Sequence, residues 1–422
     1  MSAAETGVRS IKNDVKPVLI AGGGPVGATL ALYLAQAGVP VTLFEGDEEF
    51  PLDLRASTFH PPTLDMLDEL GLTDKLIAQG LIVREFQFRE RDSGEHFDFN
   101  LARLKDYTNH PYRLQCEQYK LVKTAAQMLK QYPHAEIRMG TKVLGYKNTP
   151  NGVQALVFDG KDEHRVEGSF IVGTDGANSR IRHASATLFE GLTYPERFLV
   201  VSTTFPFERV FDGLRWVNYV SDPEEWCVLL KTLDLWRVQF PTEPDASPEE
   251  LLSDEFIQDR LQRLHPKDGD YDIHHRTLYR VHQRVAETYR PEDRVLLAGD
   301  AAHVNNPLGG MGMNGGIHDA FSLGEKLVSI IRDGADRHKL LDLYDEQRRG
   351  ICVAFIQART QENKRIMETK NTSIQEERRK KFRRLADSQE EQDRYLLESS
   401  MIQSLWDCEQ IGKDKHGGRE AA

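Results

Sequence analysis

Val18-Leu19-Ile20-Ala21-Gly22-Gly23-Gly24-Pro25-Val26-Gly27 decides the fold, because a short apolar run turns through glycines into a stretch of helix formers, Ala28 to Ala37. The apolar run suits a buried parallel strand, and the stretch that follows carries a long apolar face. Gly22 permits the tight turn, Gly24 lets backbone approach a pyrophosphate, and Gly27 lets helix and strand pack closely. The helix that starts at Pro25 then points the free N–H groups from Val26 onward, and the positive end of the helix dipole, at phosphate. A second apolar strand, Val39 to Phe44, ends at Glu45. That acid lies roughly 20 residues beyond the glycines, where a carboxylate accepts hydrogen bonds from the adenosine ribose. Its negative charge would repel a 2′-phosphate, so the tightly held dinucleotide is expected to be NAD or FAD rather than NADP.

Two later glycine-rich segments extend this reading. Gly173-Thr174-Asp175-Gly176 lies midway, and Gly299-Asp300-Ala301-Ala302-His303 is followed by Pro307 and by Gly309-Gly310-Met311-Gly312. Arg294 to Asp300 is a buried-strand pattern ending in a carboxylate, which suits hydrogen bonding to sugar-alcohol hydroxyls at a strand's carboxyl end. Gly309, Gly310 and Gly312 allow close backbone approach before a helix beginning near Asn314. Taken alone, Asp300 could equally be a helix cap and the glycines a loop. Together the three segments point to one extended ligand held by backbone from three stretches of chain.

In this order the motifs resemble those of the flavoprotein aromatic hydroxylases, single-component FAD monooxygenases of the para-hydroxybenzoate hydroxylase type, from about Pro17 to about Gly350. Arg55-Ala56-Ser57-Thr58-Phe59-His60-Pro61-Pro62, Arg113-Leu114-Gln115-Cys116-Glu117-Gln118 and Asp175-Gly176-Ala177-Asn178-Ser179-Arg180-Ile181-Arg182 carry the resemblance beside the first and last glycine segments. It implies that Arg55 reaches the cofactor, that Arg113 and Gln115 meet the FAD diphosphate and ribityl region, and that Asp175 serves FAD and the reduced nicotinamide. It also implies that Asp300 lies on the ribityl hydroxyls, with Gly310, Gly312, Met313 and Asn314 beside the flavin. NADH or NADPH would bind transiently, since no second strand-glycine-helix unit is present, and O2 would be the co-substrate. In such enzymes a flavin C4a-hydroperoxide hydroxylates an electron-rich ring. Here the backbone carbonyl of Pro307 would stand near it. No side-chain acid or base is assigned, because no Ser-His-Asp set, metal cluster or carboxylate pair emerges.

The expected fold is α/β: a Rossmann-like FAD-binding domain with a parallel sheet (15–80, 100–194 and 276–355), an inserted antiparallel β-sheet substrate domain (81–99 and 195–275), and a C-terminal helical segment (356–412). Residues 1–14 read as a flexible leader and 413–422 as a disordered tail. In the insert, Phe198 to Phe205, Leu214 to Val220, Trp226 to Leu233 and Trp236 to Phe240 are rich in β-branched and aromatic residues. By alternation Tyr219, Trp226, Val228 and Arg237 are candidates for the substrate wall, and Asn305 and Asn306 precede Pro307. Arg237 could pair with a carboxylate or phenolate. The charge-dense stretch Ser373 to Gln392 reads as a solvated helix face. Leu396, Leu397, Met401, Ile402, Leu405 and Trp406 could pack back or meet a second subunit as a homodimer.

With 422 residues and 39% hydrophobic composition the chain can bury a large core. A net charge of −12, with no basic cluster interleaved with aromatics, argues against a nucleic-acid surface. Without a signal pattern or a long apolar run, the protein is expected to be cytoplasmic, and its four scattered cysteines to be reduced thiols with no metal-ligand spacing. An FAD-dependent reductase or epoxidase of an isoprenoid or polyketide-like substrate would share the dinucleotide fingerprints, as would a non-enzymatic flavin-binding regulator. A flavin halogenase would need a Trp-x-Trp-x-Ile-Pro motif that the chain lacks.

Overall fold

The computed structural model describes residues 15–52, 56–222, 224–368 and 371–412. The most apolar runs of the sequence cannot face water on either side, and they stack side by side. Val295–Leu297, Phe170–Gly173, Val18–Ala21, Val41–Phe44 and Ala135–Arg138 form one parallel sheet in that order. Four of these strands are buried along their whole length, as expected of strands covered on both faces. Helix Pro25–Gln36 packs against helices Met311–Asp333 and Gln118–Leu129, so the early and late motifs share one layer. An antiparallel three-stranded sheet, Lys142–Thr149, Gly152–Phe158 and Glu163–Gly168, fills the crossover before Phe170–Gly173.

The second large layer is an eight-stranded sheet. Its order is His303–Val304, Ile273–Ala286, Phe189–Thr203, Trp236–Pro241, Cys227–Lys231, Val217–Ser221, Glu85–Glu90 and His96–Asn100. The pairings are antiparallel except that Val217–Ser221 runs parallel to Glu85–Glu90. Leu81–Val83 belongs instead to a small sheet with Arg113–Gln115 and Thr58–Phe59. The boundaries expected at 194/195 and 275/276 fall inside two long paired strands, Phe189–Thr203 and Ile273–Ala286. These run from the cofactor motifs along the second sheet without a break, their register shifting between Thr193 and Arg197 and again between Ser202 and Thr203. Continuous strand character leaves no turn residues to mark such a passage.

After helix Arg337–Ile351 the chain passes through a π-helical turn, Cys352–Gln357, into helices Ala358–Glu368, Thr372–Asp387, Gln389–Ser399 and Ile402–Gln410. Thr372–Asp387 keeps the solvated face expected from its charge, at Glu376, Glu377 and Lys380, but its other face is docked. Phe382 inserts among Phe88, Phe97 and Phe99, with ring centroids at 4.3, 5.6 and 5.9 Å. Arg378 is buried against Glu90, while Arg379 meets Asp92 and Arg383 meets Glu95. Arg378, Arg379 and Arg383 of the charged run are cross-links to the hairpin Glu85–Asn100, and Phe382 is the anchor between them. Leu396, Met401 and Ile402 pack back into the core. Among the described residues no helix is long and apolar enough to cross a membrane.

Candidate active site

The three glycine segments meet around the start of helix Pro25–Gln36. A Cβ added to Gly22 would stand 2.6 Å from the Thr174 carbonyl oxygen, and one on Gly27 would stand 2.0 Å from the Gly22 carbonyl oxygen. Thr174 Oγ1 donates to the carbonyls of Ala21 and Gly22, both at 2.9 Å, and ties the middle segment to the turn. Val26 fills the space left by the late glycines: Cβ atoms on Gly299 and Gly316 would lie 2.7 and 2.6 Å from its Cγ2. Gly24 differs from all of these, since a Cβ there would meet no protein atom within 4 Å. The helix begins with Pro25 at its first turn, with no side-chain cap and no acidic residue in that turn. Its N–H groups therefore face open space with their dipole unneutralised, which fits an anionic diphosphate.

Glu45 ends strand Val41–Phe44 and grips the loop, its carboxylate accepting from Gly23 N at 2.9 Å and Asp47 N at 3.0 Å. A carboxylate has lone pairs for further donors, so this grip leaves room for ribose hydroxyls. Asp175 Oδ2 accepts from the N–H groups of Arg180 and Ile181 at 2.6 and 3.3 Å, opening the short helix Arg180–Ala184, while burial pushes its carboxyl up and Oδ1 has no partner. Asp300 lies exposed in the turn Gly299–Ala301 at the carboxyl end of strand Val295–Leu297. Arg55 lies outside the described residues.

The late loop is braced from two sides. Asn314 Oδ1 accepts from His60 N at 2.9 Å and its Nδ2 donates to the carbonyls of Thr58 and Gly310 at 2.8 and 2.6 Å. His60 Nε2 lies 2.8 Å from the Gly309 carbonyl; complete burial, reinforced by Arg113, holds its pKa well below the usual range and keeps the ring neutral. Gly310 adopts a left-handed conformation, φ 68°, and its N–H donates to the Pro307 carbonyl at 3.0 Å, so that carbonyl is already in use once. Met313 packs on the main core, and Gly312 faces Asn305, whose Oδ1 is enclosed without a partner. Asn306 differs from its neighbour: Gln283, Thr360 and Leu308 occupy its side chain completely, making it a framework residue rather than a ligand contact.

Beneath the loop lies a buried charge network that sequence reading did not find. Asp319 accepts from His303 Nε2 at 2.8 Å, Arg348 Nε at 2.7 Å and Gly299 N at 3.0 Å. Burial alone would raise the Asp319 carboxyl, but Arg348 and His303 outweigh it and hold it at about 2. Burial likewise opposes charge on His303, and Cys352 and Asp319 outweigh it. His303 is thus a support of the Gly299–Ala301 turn. Sequence offers no signal for the triad because its members are 16 and 29 residues apart from Asp319 along the chain.

On the substrate side, strand register places Tyr219, Val228 and Gln239 in one row, with Arg237 on the same face. Only Tyr219 lines the cavity of about 640 Å³, partly open to solvent, that lies above the late loop. Trp226 and Val228 instead fill the apolar core behind it, Trp226 edge-on to Phe198 at 5.4 Å. Arg237 is buried 3.7 Å from Glu117. The wall is built by Phe86 and Phe88 of the hairpin, by Arg113, and by Arg359, Lys381 and Tyr395 of the C-terminal helices, while Gly309 and Met311 line it from the late loop. Gln115 braces the strand beneath, Oε1 accepting from Thr58 Oγ1 at 3.0 Å, and its Nε2 has no partner.

The sequence matches the FAD binding domain family over residues 16–359. The chain is a FAD-dependent aromatic monooxygenase. It is 34% identical to 6-hydroxy-3-succinoylpyridine 3-monooxygenase of Pseudomonas putida (strain DSM 28022 / S16), over 82% of this chain and 88% of that protein. To para-nitrophenol 4-monooxygenase of Pseudomonas sp. (strain WBC-3) it is 32% identical, over 80% and 84%. The crystal structure of p-nitrophenol 4-monooxygenase from Pseudomonas putida DLL-E4 superposes with a TM-score of 0.87 at 30% identity, covering 93% of this chain and 98% of that one. FAD is the cofactor of this monooxygenase, with O2 and a reduced nicotinamide as co-substrates. The clear approach at Gly24, the uncapped helix and the unpartnered buried atoms of Gln115, Asp175 and Asn305 fit an extended dinucleotide lying across the three segments.

Proposed function

We propose that this monooxygenase hydroxylates a small phenolic or hydroxylated heteroaromatic ring, seated in the cavity between the hairpin Glu85–Asn100, the late loop and the C-terminal helices. Bound FAD supplies the oxygen activation, and the chain supplies placement. The diphosphate is assigned to the N–H groups at Gly24 and Val26, with Pro25 fixing the first turn of the helix between them, the adenosine ribose to Glu45, and the ribityl chain to Asp300 and Gln115. Backbone at Gly310 and Gly312 faces the ring system, and helix Met311–Asp333 directs its N-terminal dipole there, stabilising negative charge on the reduced cofactor. Phe86, Phe88, Tyr219 and Tyr395 offer flat apolar faces for an aromatic ring and exclude water from it.

One observation carries this reading: a cavity with aromatic walls opens onto Gly309 and Met311, at the start of helix Met311–Asp333, whose Gly316 packs on Val26 of the first helix. The similar proteins are named for a hydroxypyridine and a nitrophenol, each built on a single aromatic ring. The test is the visible spectrum of purified protein, followed by NADH and NADPH oxidation over phenols, hydroxybenzoates, hydroxypyridines and aminophenols. The expected outcome is bound FAD, with O2-dependent nicotinamide oxidation stimulated by one of these classes and one oxygen atom added to the ring. Nicotinamide oxidation that proceeds without O2, reducing a non-aromatic substrate, would support a reductase instead.

A further inference from the structure

The family match ends at residue 359, yet half of the cavity wall comes from beyond it. Among the lining residues three are cations, Arg113, Arg359 and Lys381, and one is a carboxylate, Glu362. Glu362 is engaged by Arg365 at 2.7 and 2.9 Å, and Arg359 pairs with Glu398 outside the lining. Two cations are left over. Arg113 is only 2% exposed, and its guanidinium stacks 4.2 Å from the Phe86 ring centroid. Its Nε and Nη1 have no acceptor, and among the described residues it forms no ion pair. Lys381, on helix Thr372–Asp387, makes no hydrogen bond or close ion pair among the described residues, and the carboxylate that acts on it is Glu362 across the cavity lining. Burial, and then Arg359, depress its ammonium more than Glu362 raises it.

A buried guanidinium without an acceptor is costly, and folded proteins retain one where a ligand supplies the missing anion. The phenol of Tyr395, on helix Gln389–Ser399, is buried beside Tyr219 and feels both Arg113 and Arg359. Burial outweighs those cations and pushes the phenol up to about 12, so the Tyr395 hydroxyl accompanies them as a neutral donor. We propose that Arg113 and Lys381 are the specificity-determining residues of the substrate cavity, holding the anionic oxygen of an aromatic substrate, and that the C-terminal helices bring the second of these charges to the ring. This rests on the reading of the cavity as the substrate chamber. The anionic oxygen has two sources, a phenolate or a carboxylate on the ring, and the choice of probes separates them.

The experiment uses the full-length FAD-loaded protein and the change in flavin absorbance on adding 4-nitrophenolate, 4-hydroxybenzoate or the neutral 4-hydroxybenzamide. Arg113→Gln and Lys381→Gln are expected to weaken binding of at least one anionic probe by ~10-fold or more, the scale of a lost hydrogen bond to a charged group. The neutral probe should change less than about 2-fold, and Lys381→Gln should keep FAD at the wild-type level. Weakening confined to 4-nitrophenolate assigns the phenolate to the two cations, and weakening confined to 4-hydroxybenzoate assigns the carboxylate. Equal weakening of neutral and anionic probes overturns the proposal, because it marks a packing role. Loss of FAD from Arg113→Gln overturns it too, by placing that guanidinium on the cofactor. Wild-type protein that binds no anionic probe refutes the substrate class, whereas the reading as a hydroxylase fails separately, by an absence of substrate-stimulated nicotinamide oxidation.

Discussion

Gly24 and Gly27 sit three residues apart in one turn and serve different ends. A Cβ at Gly27 would overlap the Gly22 carbonyl at 2.0 Å, so Gly27→Ala should destabilise the protein by ~1–3 kcal/mol or more, read as a lower midpoint in urea unfolding. A Cβ at Gly24 meets nothing, so Gly24→Ala should cost under about 1 kcal/mol in the cofactor-free protein, as for a helix N-cap. Its loss should appear instead in FAD retained through purification. Equal FAD content in Gly24→Ala and wild type would remove the diphosphate from that turn. Asp319 makes a second contrast at this scale. Its carboxyl is held at about 2 against an ordinary 3.8, so its contribution is complete above the ordinary value and is lost as pH falls through about 2. Asp319→Asn leaves the buried Arg348 without its counter-charge and should cost ~3–5 kcal/mol at neutral pH. That deficit should narrow as unfolding is measured at progressively more acid pH.

Helix Thr372–Asp387 shows how an element with a polar sequence can be pinned in place. The pair Arg378–Glu90 is 3% exposed on both sides, and burial pushes the Glu90 carboxyl up although Arg378 pulls it down. The apolar anchor Phe382, rather than the ion pair, is thus the expected source of docking energy. Arg378→Met alone should destabilise by ~3–5 kcal/mol, since it strands a buried carboxylate. Adding Glu90→Leu should recover most of that loss, and thermal unfolding of the two singles and the double measures the coupling. In the single variant the deficit should shrink as pH falls, because protonation of Glu90 removes the unpaired charge. A deficit that is flat with pH would show that Glu90 is not the stranded group.

At the scale of the whole molecule the C-terminal helices close a cavity whose other walls belong to the two sheets. Deleting residues from Asn371 onward removes Lys381, Phe382 and Tyr395 and uncovers the Phe86, Phe88 and Phe99 face. The shortened protein is expected to bind a fluorescent apolar dye and to release hydrogen peroxide instead of hydroxylated product, as water reaches the site. Coupled turnover equal to wild type would show that these helices are not part of the chamber.

The cofactor half of this enzyme was legible because its determinants are local. Strand, turn and helix occupy one short stretch, and a backbone that must come close to phosphate leaves glycines in fixed places from Gly22 to Gly27. The parallel sheet followed from the same apolar runs. What tertiary structure alone decided lies between elements distant in the chain: the Asp319 network, the passage of two long strands through both layers, and the docking of Phe382 on the hairpin. Alternation could group Tyr219, Val228 and Arg237 on one face, but not say which of them meets a cavity. An amphipathic pattern reports that a side chain wants company. Which partner it finds, and whether a charge is solvated or left facing a cavity as Arg113 and Lys381 are, depends on surfaces brought together only by folding.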